Sequence, residues 1–593
     1  MNERLEALRT LMAQRGIDAY LVPTSDFHDS EYVGEYFKCR KYLTGFTGSA
    51  GTAVITADDA GLWTDGRYFV QAAGQLEGSG FRLQRMGQEG VPTVEEYLEQ
   101  VIPEGGVLGF DGRVVDGRTG GRLQELIEGK HGMIRCEEDL AGEIWKDRPA
   151  LPAEPVWILD EKYAGMSAAE KIRNLREEMK KERASVHVLT TVDDIVWLLN
   201  IRGNDVPCNP VVLSYAAVTM DRLFLFINEA VLNGTVRAYL ESLQVTVKPY
   251  DQIYSFVKSF CGERVLVEPE KTNYALIRSL ASCNTLVCRM NPTAMAKAVK
   301  NPVEVENERK AHIKDGVAMT KFIYWLKHRI GTMPMTEISV SDYLEQLRRE
   351  QGCLELSFDT ISAYKENAAM CHYSATPETD KELKPEGLYL VDSGGQYYEG
   401  TTDITRTVAL GPITAEEREH FTLTVISMLR LGHVKFLYGC RGLSLDYVAR
   451  EPFWSRGLNY DHGTGHGVGY LLNVHERPNG IRYKMVPERM DNAVLEEGMI
   501  CSDEPGIYIE GSHGIRTENL MVCRKGEKNA YGQFMEFEFL TMVPIDLDAL
   551  DPSLMEARDR EWLNQYHKEV YEKIAPHLTE EEAAWLREAT RAI

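Results

Sequence analysis

In the C-terminal half of the chain, acidic residues recur inside runs that are otherwise apolar and β-prone. L-Y-L-V-D-S-G-G at 388–395 brings a strand-like run onto Asp392, and T-T-D-I-T-R-T-V at 401–408 sets Asp403 within another. M-I-C-S-D-E-P-G-I-Y-I at 499–509 places Glu504 before a Pro-Gly turn, and G-I-R-T-E-N-L-M-V at 514–522 embeds Glu518. The flanking Leu, Val and Ile predict buried strands, and a buried carboxylate is expensive unless it is paired or bound to a metal. A fold for this chain must therefore bring these groups to one another or to cations, or turn them out to solvent. Taken singly, each has an ordinary alternative. Asp392 could cap a turn, Asp403 or Glu518 could face water, and Glu504 could belong to the turn that follows it.

The stretch N-Y-D-H-G-T-G-H-G-V-G-Y-L-L-N-V-H-E at 459–476 adds His462, His466 and His475 among closely spaced glycines. Glycine at that density predicts tight turns or a close backbone approach, and imidazoles suit metal or proton chemistry. His466 alone could be a polar core residue. Four carboxylates and one histidine together can hold two divalent cations. Hard oxygen donors with one imidazole suit Mn²⁺, Co²⁺ or Zn²⁺ better than an iron–sulfur or copper centre. Two such cations can share a hydroxide and steady the tetrahedral intermediate of an attacked carbonyl. The residues alone thus point to a dinuclear hydrolase, without establishing that the segments meet.

At 593 residues the chain is long enough for three or four domains. Asp and Glu total 90 against 66 Lys and Arg, a net charge of −24, which argues against nucleic acid or an anionic membrane as a partner. The opening M-N-E-R-L-E-A-L-R-T-L-M-A-Q-R-G reads as an amphipathic helix and lacks the apolar core of a secretory signal. No run approaches a membrane span. The 11 cysteines are scattered without a C-x-x-C pair and are expected as thiols, which makes a cytoplasmic location the expectation. Residues 1–150 read as an α/β domain, closed by the proline-rich linker K-D-R-P-A-L-P-A-E-P at 146–155. Residues 151–300 repeat its style of helices and short β-branched runs, suggesting a duplication although no sequence repeat proves one. Residues 301–593 carry the chemically suggestive segments and end in a helical tail from about residue 552 that is expected to pack on the same domain.

Many motifs in one order carry a resemblance. They include P-T-S-D-F-H-D-S-E-Y, G-F-T-G-S-A-G-T-A-V-I-T and D-D-I-V-W-L-L-N-I-R-G-N-D-V-P-C-N-P-V, then A-H-I-K-D, D-S-G-G-Q-Y, T-T-D-I-T-R-T, H-G-T-G-H-G-V-G, N-V-H-E, D-E-P-G-I-Y and I-R-T-E-N. Nearly end to end the chain resembles the creatinase/aminopeptidase P superfamily (peptidase M24B), in the long three-domain form of cytosolic aminopeptidase P. The resemblance implies a mixed α/β (α+β) protein with two creatinase-type N-terminal domains and a pita-bread catalytic domain. It implies two divalent metals, Mn²⁺ foremost with Zn²⁺ or Co²⁺ as alternatives, bridged by Asp403 and Glu518. His466 and Glu504 would complete one metal's shell and Asp392 the other's. His475 and His372 would donate hydrogen bonds to the scissile carbonyl and its oxyanion, and His462 would shape the substrate side. Glu504 would also move the proton. Tyr508 and Arg516, otherwise readable as a packed tyrosine and a surface arginine, would support the ligands. The implied reaction is removal of an N-terminal residue when proline follows it, by a homodimer.

Prolidase, a relative that cleaves Xaa-Pro dipeptides, is the alternative, but prolidase-like chains usually carry one domain before the catalytic one. A non-catalytic binding protein on this fold would be expected to have lost ligands, and the set here is intact. Lys365, Glu366 and Asn367 stand where the long family forms are more glycine-rich, which could alter preference for the leaving part of the substrate. Cys501 is expected near the site. His28 and Arg67 are expected either near the active-site mouth or dimer contact, or to stabilise their own domain.

Overall fold

A computed structural model describes residues 2–593, which divide into two compact units. One runs from the N-terminus to Leu159 and resumes over Ser167–Thr293; the other comprises Asp160–Met166 and Ala294–Ile593. Among the described residues no helix is long and apolar enough to cross a membrane.

The first unit holds two six-stranded sheets. The first has the spatial order Arg82–Arg85, Ala60–Thr64, Thr52–Thr56, Ala19–Pro23, Val107–Phe110, Met133–Arg135. Its pairings run parallel, antiparallel, antiparallel, parallel, parallel. The second sheet, Val245–Pro249, Leu223–Ile227, Ser214–Thr219, Val186–Leu189, Arg264–Val267, Thr285–Cys288, repeats that series of pairings strand for strand. The suspected duplication is therefore present as topology. Strand alternation builds the core: Leu21, Val54 and Trp63 pack on one face of the first sheet, and Tyr20, Val22, Ile55 and Leu62 on the other. His28 is buried within this unit, with Nδ1 on Thr190 O (2.7 Å) and Nε2 on Tyr250 Oη (2.6 Å). Arg67 pairs with Asp65 two residues away. Both side chains thus have stabilising partners inside their own unit. One expectation is corrected here: Cys261 and Cys283 form a disulfide with a Cα–Cα distance of 4.9 Å, while nine cysteines are thiols.

The second unit opens with the long helix Pro302–Arg329. Its start is set by Pro at the first turn and by a capping box in which Asn301 and Glu304 satisfy each other's backbone N–H groups; its last turn is basic. The main sheet is antiparallel throughout, in the order Phe436–Leu437, Gly532–Phe539, Asn519–Asn529, Ile500–Asp503, Gly465–Gly467, Glu476–Ile481. A second sheet pairs Leu388–Ser393 with Ile361–Tyr364 and Ile404–Ala409. A hairpin joins Gly506–Ile509 to His513–Arg516. Helix Ala415–Gly432 lies against that hairpin through Phe421, Val425 and Leu429, in one cluster with Ile507 and Ile515. The tail packs where expected: Leu563, Tyr566 and Val570 of helix Ala557–Ile574 join the same cluster.

Candidate dinuclear metal centre

Every strand-borne carboxylate of the sequence reading lies at the end of, or just beyond, a strand of the second unit. Asp392 is the fifth residue of Leu388–Ser393 and stands opposite Thr405, while Asp403 immediately precedes Ile404–Ala409. Glu504 follows Ile500–Asp503, and Glu518 occupies the junction between His513–Arg516 and Asn519–Asn529. Strands can bury apolar flanks while their ends project polar groups into one place, which explains the sequence pattern. Ligating atoms of Asp403, His466 and Glu518 lie within 4.8 Å of one another. His466 Nε2 is 3.3 Å from Asp403 Oδ2 and 3.8 Å from Glu504 Oε1. Asp392, Asp403 and Glu518 are buried, whereas His466 and Glu504 retain some exposure and form the open side.

Electrostatics shows what the cluster can bind. Burial, reinforced by Asp403, Asp392 and Glu504, pushes the Glu518 carboxyl well above the carboxylate range. Burial lifts Asp392 to about 6, although the Arg516 charge opposes the rise. Burial alone would lower His466, but its bond to Asp403 and the charge of Glu504 raise it to about 9. Asp392 Oδ1 and Glu518 Oε1 are buried without a hydrogen-bond partner. Repelling, partly unpartnered oxygens beside an imidazole fit a pair of divalent cations. His466 Nδ1 lies 2.9 Å from the carbonyl of Gly467 and donates to it, which leaves Nε2 toward Asp403 and Glu504; there it donates to Asp403 while protonated and would offer its lone pair to a cation once that proton is lost.

A hydrogen-bond chain extends from this centre. Arg516 donates through Nη2 to Asp392, through Nε to Thr405 Oγ1 (3.1 Å) and through Nη1 to Tyr508 Oη (2.7 Å). Tyr508 Oη lies 2.9 Å from His462 Nε2, and His462 Nδ1 lies 2.8 Å from Gly463 O. Because Gly463 O can only accept, Nδ1 donates and Nε2 accepts the tyrosine proton. Hairpin register brings Arg516 opposite Gly506 and Tyr508 opposite Gly514, which puts both side chains on one face. The His475 ring stands edge-on to His466 at 4.4 Å. His372 is exposed on the loop after Lys365–Ala369, next to Cys371, whose thiol feels the charges of Arg516 and Glu504.

Sequence reasoning missed Thr405, whose hydroxyl donates to Glu518 Oε2 at 2.8 Å while accepting from Arg516. It also missed Ser502, whose Oγ accepts from His466 N at 2.9 Å. Their spacing from Asp403 and Glu504, two residues each along a strand, was the available signal. Cys501 points the other way, into the core cluster with Met499 and Met521, where burial pushes its thiol up to about 11. Asn367 is engaged by Glu337 and Tyr373, and Lys365 by Glu386, which ties that loop to its own domain.

The fold and the carboxylate–histidine centre define a metallopeptidase class. Residues 306–525 match the model of metallopeptidase family M24 and 533–593 that of the C-terminal region of peptidase M24. Residues 4–142 and 147–304 match two models described as creatinase/prolidase N-terminal domain. The chain is 40% identical to a protein of Talaromyces marneffei named "Probable Xaa-Pro aminopeptidase P", over 100% of this chain and 92% of that one. It superimposes on the solved X-prolyl aminopeptidase of Caenorhabditis elegans, described as a cytosolic enzyme with a di-nuclear active site. That match has a TM-score of 0.93 at 35% identity and covers 100% of this chain and 99% of that one. The chain belongs to metallopeptidase family M24 and, within it, to the Xaa-Pro aminopeptidase P family. A Xaa-Pro dipeptidase of Bacillus anthracis shares the fold alone, at 21% identity and a TM-score of 0.50, over 64% of this chain and 99% of its own.

Proposed function

We propose that this protein is a metal-dependent Xaa-Pro aminopeptidase, cleaving the bond between an N-terminal residue and a proline that follows it. The observation carrying this reading is the convergence of Asp403, His466 and Glu518 within 4.8 Å, with Glu504 beside them, in a member of that family. Asp403 and Glu518 would be shared between two divalent cations, His466 and Glu504 would hold one, and Asp392 the other. Mn²⁺ is the ion we assign, on the predominance of oxygen donors. The cations would supply Lewis-acid charge and a water of lowered pKa.

The chain's own groups then act on the substrate. Burial opposes ionisation of Glu504, but neighbouring positive charge, His466 and Arg516 included, outweighs it and holds the carboxyl below its usual range. Glu504 is thereby kept as a base that takes the proton of the attacking water and delivers it to the departing proline nitrogen. His475 and His372 donate to the carbonyl oxygen as charge develops there. His462, held neutral by burial and fixed through Tyr508 and Arg516, shapes the substrate side.

In this reading the chain comprises domains at 1–150, 151–300 and 301–593 and works in the cytoplasm as a homodimer. Support for the dimer is an exposed apolar surface on helix Gly442–Trp454, where Leu443 stands one turn from Tyr447, Tyr447 contacts Trp454 and Trp454 contacts Tyr483. Sedimentation at micromolar concentration should give a dimer that Tyr447→Glu weakens; a monomeric wild type would reject this part. A panel of Xaa-Pro-Xaa tripeptides and Xaa-Pro dipeptides tests the activity. Cleavage of the tripeptides is expected, and cleavage of the dipeptides alone would make the protein a prolidase.

A further inference from the structure

The segment that carries His475 is poorly held by its own strand. In the pairing of Gly465–Gly467 with Glu476–Ile481, His466 faces Gly480 but Gly467 faces Glu476. Arg477, Pro478 and Asn479 are therefore looped out between successive pairs, and the ladder is interrupted immediately after Glu476, the residue following His475. A different element supplies the missing connection. Lys300 Nζ donates to Val468 O at 2.5 Å and to Glu476 Oε1, tying the two strands together on the His475 side of the interruption, and Lys297 Nζ donates to Glu476 Oε2 at 2.8 Å. The three side chains are nearly sealed from solvent, at 1% exposure for Lys300, 2% for Glu476 and 7% for Lys297.

Lys300 is itself anchored. Its N–H bonds Gly498 O at 3.1 Å, and Val299 bridges Met499 at the edge of the main sheet. This close approach needs glycine at 498, where φ is +93° and a Cβ would stand 2.3 Å from Lys300 O. Burying two ammonium groups on one carboxylate gains little net stability over an apolar packing of similar volume. What the arrangement does provide is a fixed direction for the Glu476 side chain, and hence for the peptide joining it to His475. The His475 carbonyl is fixed in turn by Asn473 Nδ2 at 3.0 Å.

We propose that Lys300, assisted by Lys297, is a positioning residue for His475, holding its ring at the edge of His466 through the Glu476 carboxylate. This rests on the aminopeptidase reading and on the place of His475 in it. Displacing a catalytic group by about 1 Å costs on the order of 100-fold, so Lys300→Met should lower kcat about 10- to 100-fold. KM should change less than about threefold, and the metals should stay bound. The discriminating experiment is a double-mutant cycle with His475→Ala. If Lys300 acts through His475, adding Lys300→Met to His475→Ala should cost less than about a further twofold in kcat. Losses that multiply, or a Lys300→Met enzyme with wild-type kcat, would overturn the proposal. Should Lys300→Met not fold, Lys297→Met leaves a balanced Lys300–Glu476 pair and decides instead: a smaller loss that vanishes in the His475→Ala background supports the clamp, and an unchanged kcat refutes it. A wild-type chain inactive on every Xaa-Pro-Xaa peptide would sink the aminopeptidase reading, not the clamp. The clamp would then be read from a crystal structure of either lysine variant, where a displaced His475 ring supports it and a ring still edge-on to His466 overturns it.

Discussion

Replacing Arg516 with methionine would separate the metal ligands from the framework that holds them. The substitution keeps an unbranched apolar stem of similar length and removes three donors at once, to Asp392, Thr405 and Tyr508. Asp392 Oδ1 already lacks a partner, so after Arg516→Met the buried carboxyl would have none for either oxygen. Removing one partner of a buried pair costs about 3–5 kcal/mol. For a unit of this size about 2 °C is lost per kcal/mol, so the metal-free catalytic unit should melt about 6–10 °C lower. Bound cations would take over part of the Asp392 charge, so the loss should be smaller in the metal-loaded protein. Scanning calorimetry of wild type and variant, with and without a chelator, reads both quantities. A metal-free melting temperature within about 2 °C of wild type, or equal losses in both states, would refute the view of Arg516 as the counter-charge of an otherwise uncompensated carboxylate.

Glu518→Ala should lose both ions and nearly all peptide cleavage, because its carboxylate is assigned to both metal shells; metal analysis of the folded variant checks this. His475→Ala should stay folded and metal-loaded but lose about 100- to 1,000-fold in kcat, the cost of one oxyanion donor, with KM moving less; a stable variant with wild-type kcat would remove His475 from the reaction. The metal-free protein should lose stability as pH rises. Asp392 (about 6), His466 (about 9) and Glu518 (raised) all hold protons more tightly in the fold than in the unfolded chain. Their contribution is full at acid pH and is withdrawn as each deprotonates, through about pH 6 for Asp392 and about pH 9 for His466. Metal replaces those protons, so the gap between loaded and stripped melting temperatures should widen from pH 6 to pH 9. A constant gap would contradict this.

Much of the centre was legible because burying charge is expensive. Asp392, Asp403 and Glu518 sit in runs too apolar for solvent-facing strands, and that conflict marked them before any geometry was known. The resemblance then supplied which of the neighbouring histidines was the ligand candidate. The rest depended on register and on distance along the chain. Tyr508 and Arg516 share a face only because the hairpin pairs Gly506 with Arg516, and their link to His462 crosses 46 residues. Thr405 and Ser502 are common residue types in strand-prone runs, marked only by standing two residues from Asp403 and Glu504. Lys297 and Lys300 lie in a segment read only as a domain boundary, more than 170 residues before the Glu476 they hold. The twin sheets of the first unit escaped sequence comparison for another reason. Strand order and polarity are set by apolar patterning and turns, which two segments can share without sharing residues. The disulfide between Cys261 and Cys283 was likewise invisible, because their 22-residue spacing matches no motif.

Central to the proposed function are two cations held by five side chains and used to cleave Xaa-Pro bonds. Stripping the protein of metal and titrating Mn²⁺ back, while recording bound ions per chain and the cleavage rate of one Xaa-Pro-Xaa peptide, addresses it directly. The stripped protein should be inactive, the rate should rise with bound metal and level off at two ions per chain, and Glu518→Ala should show neither uptake nor activity. Full activity in the stripped protein, or a metal-dependent rate that survives Glu518→Ala, would contradict it.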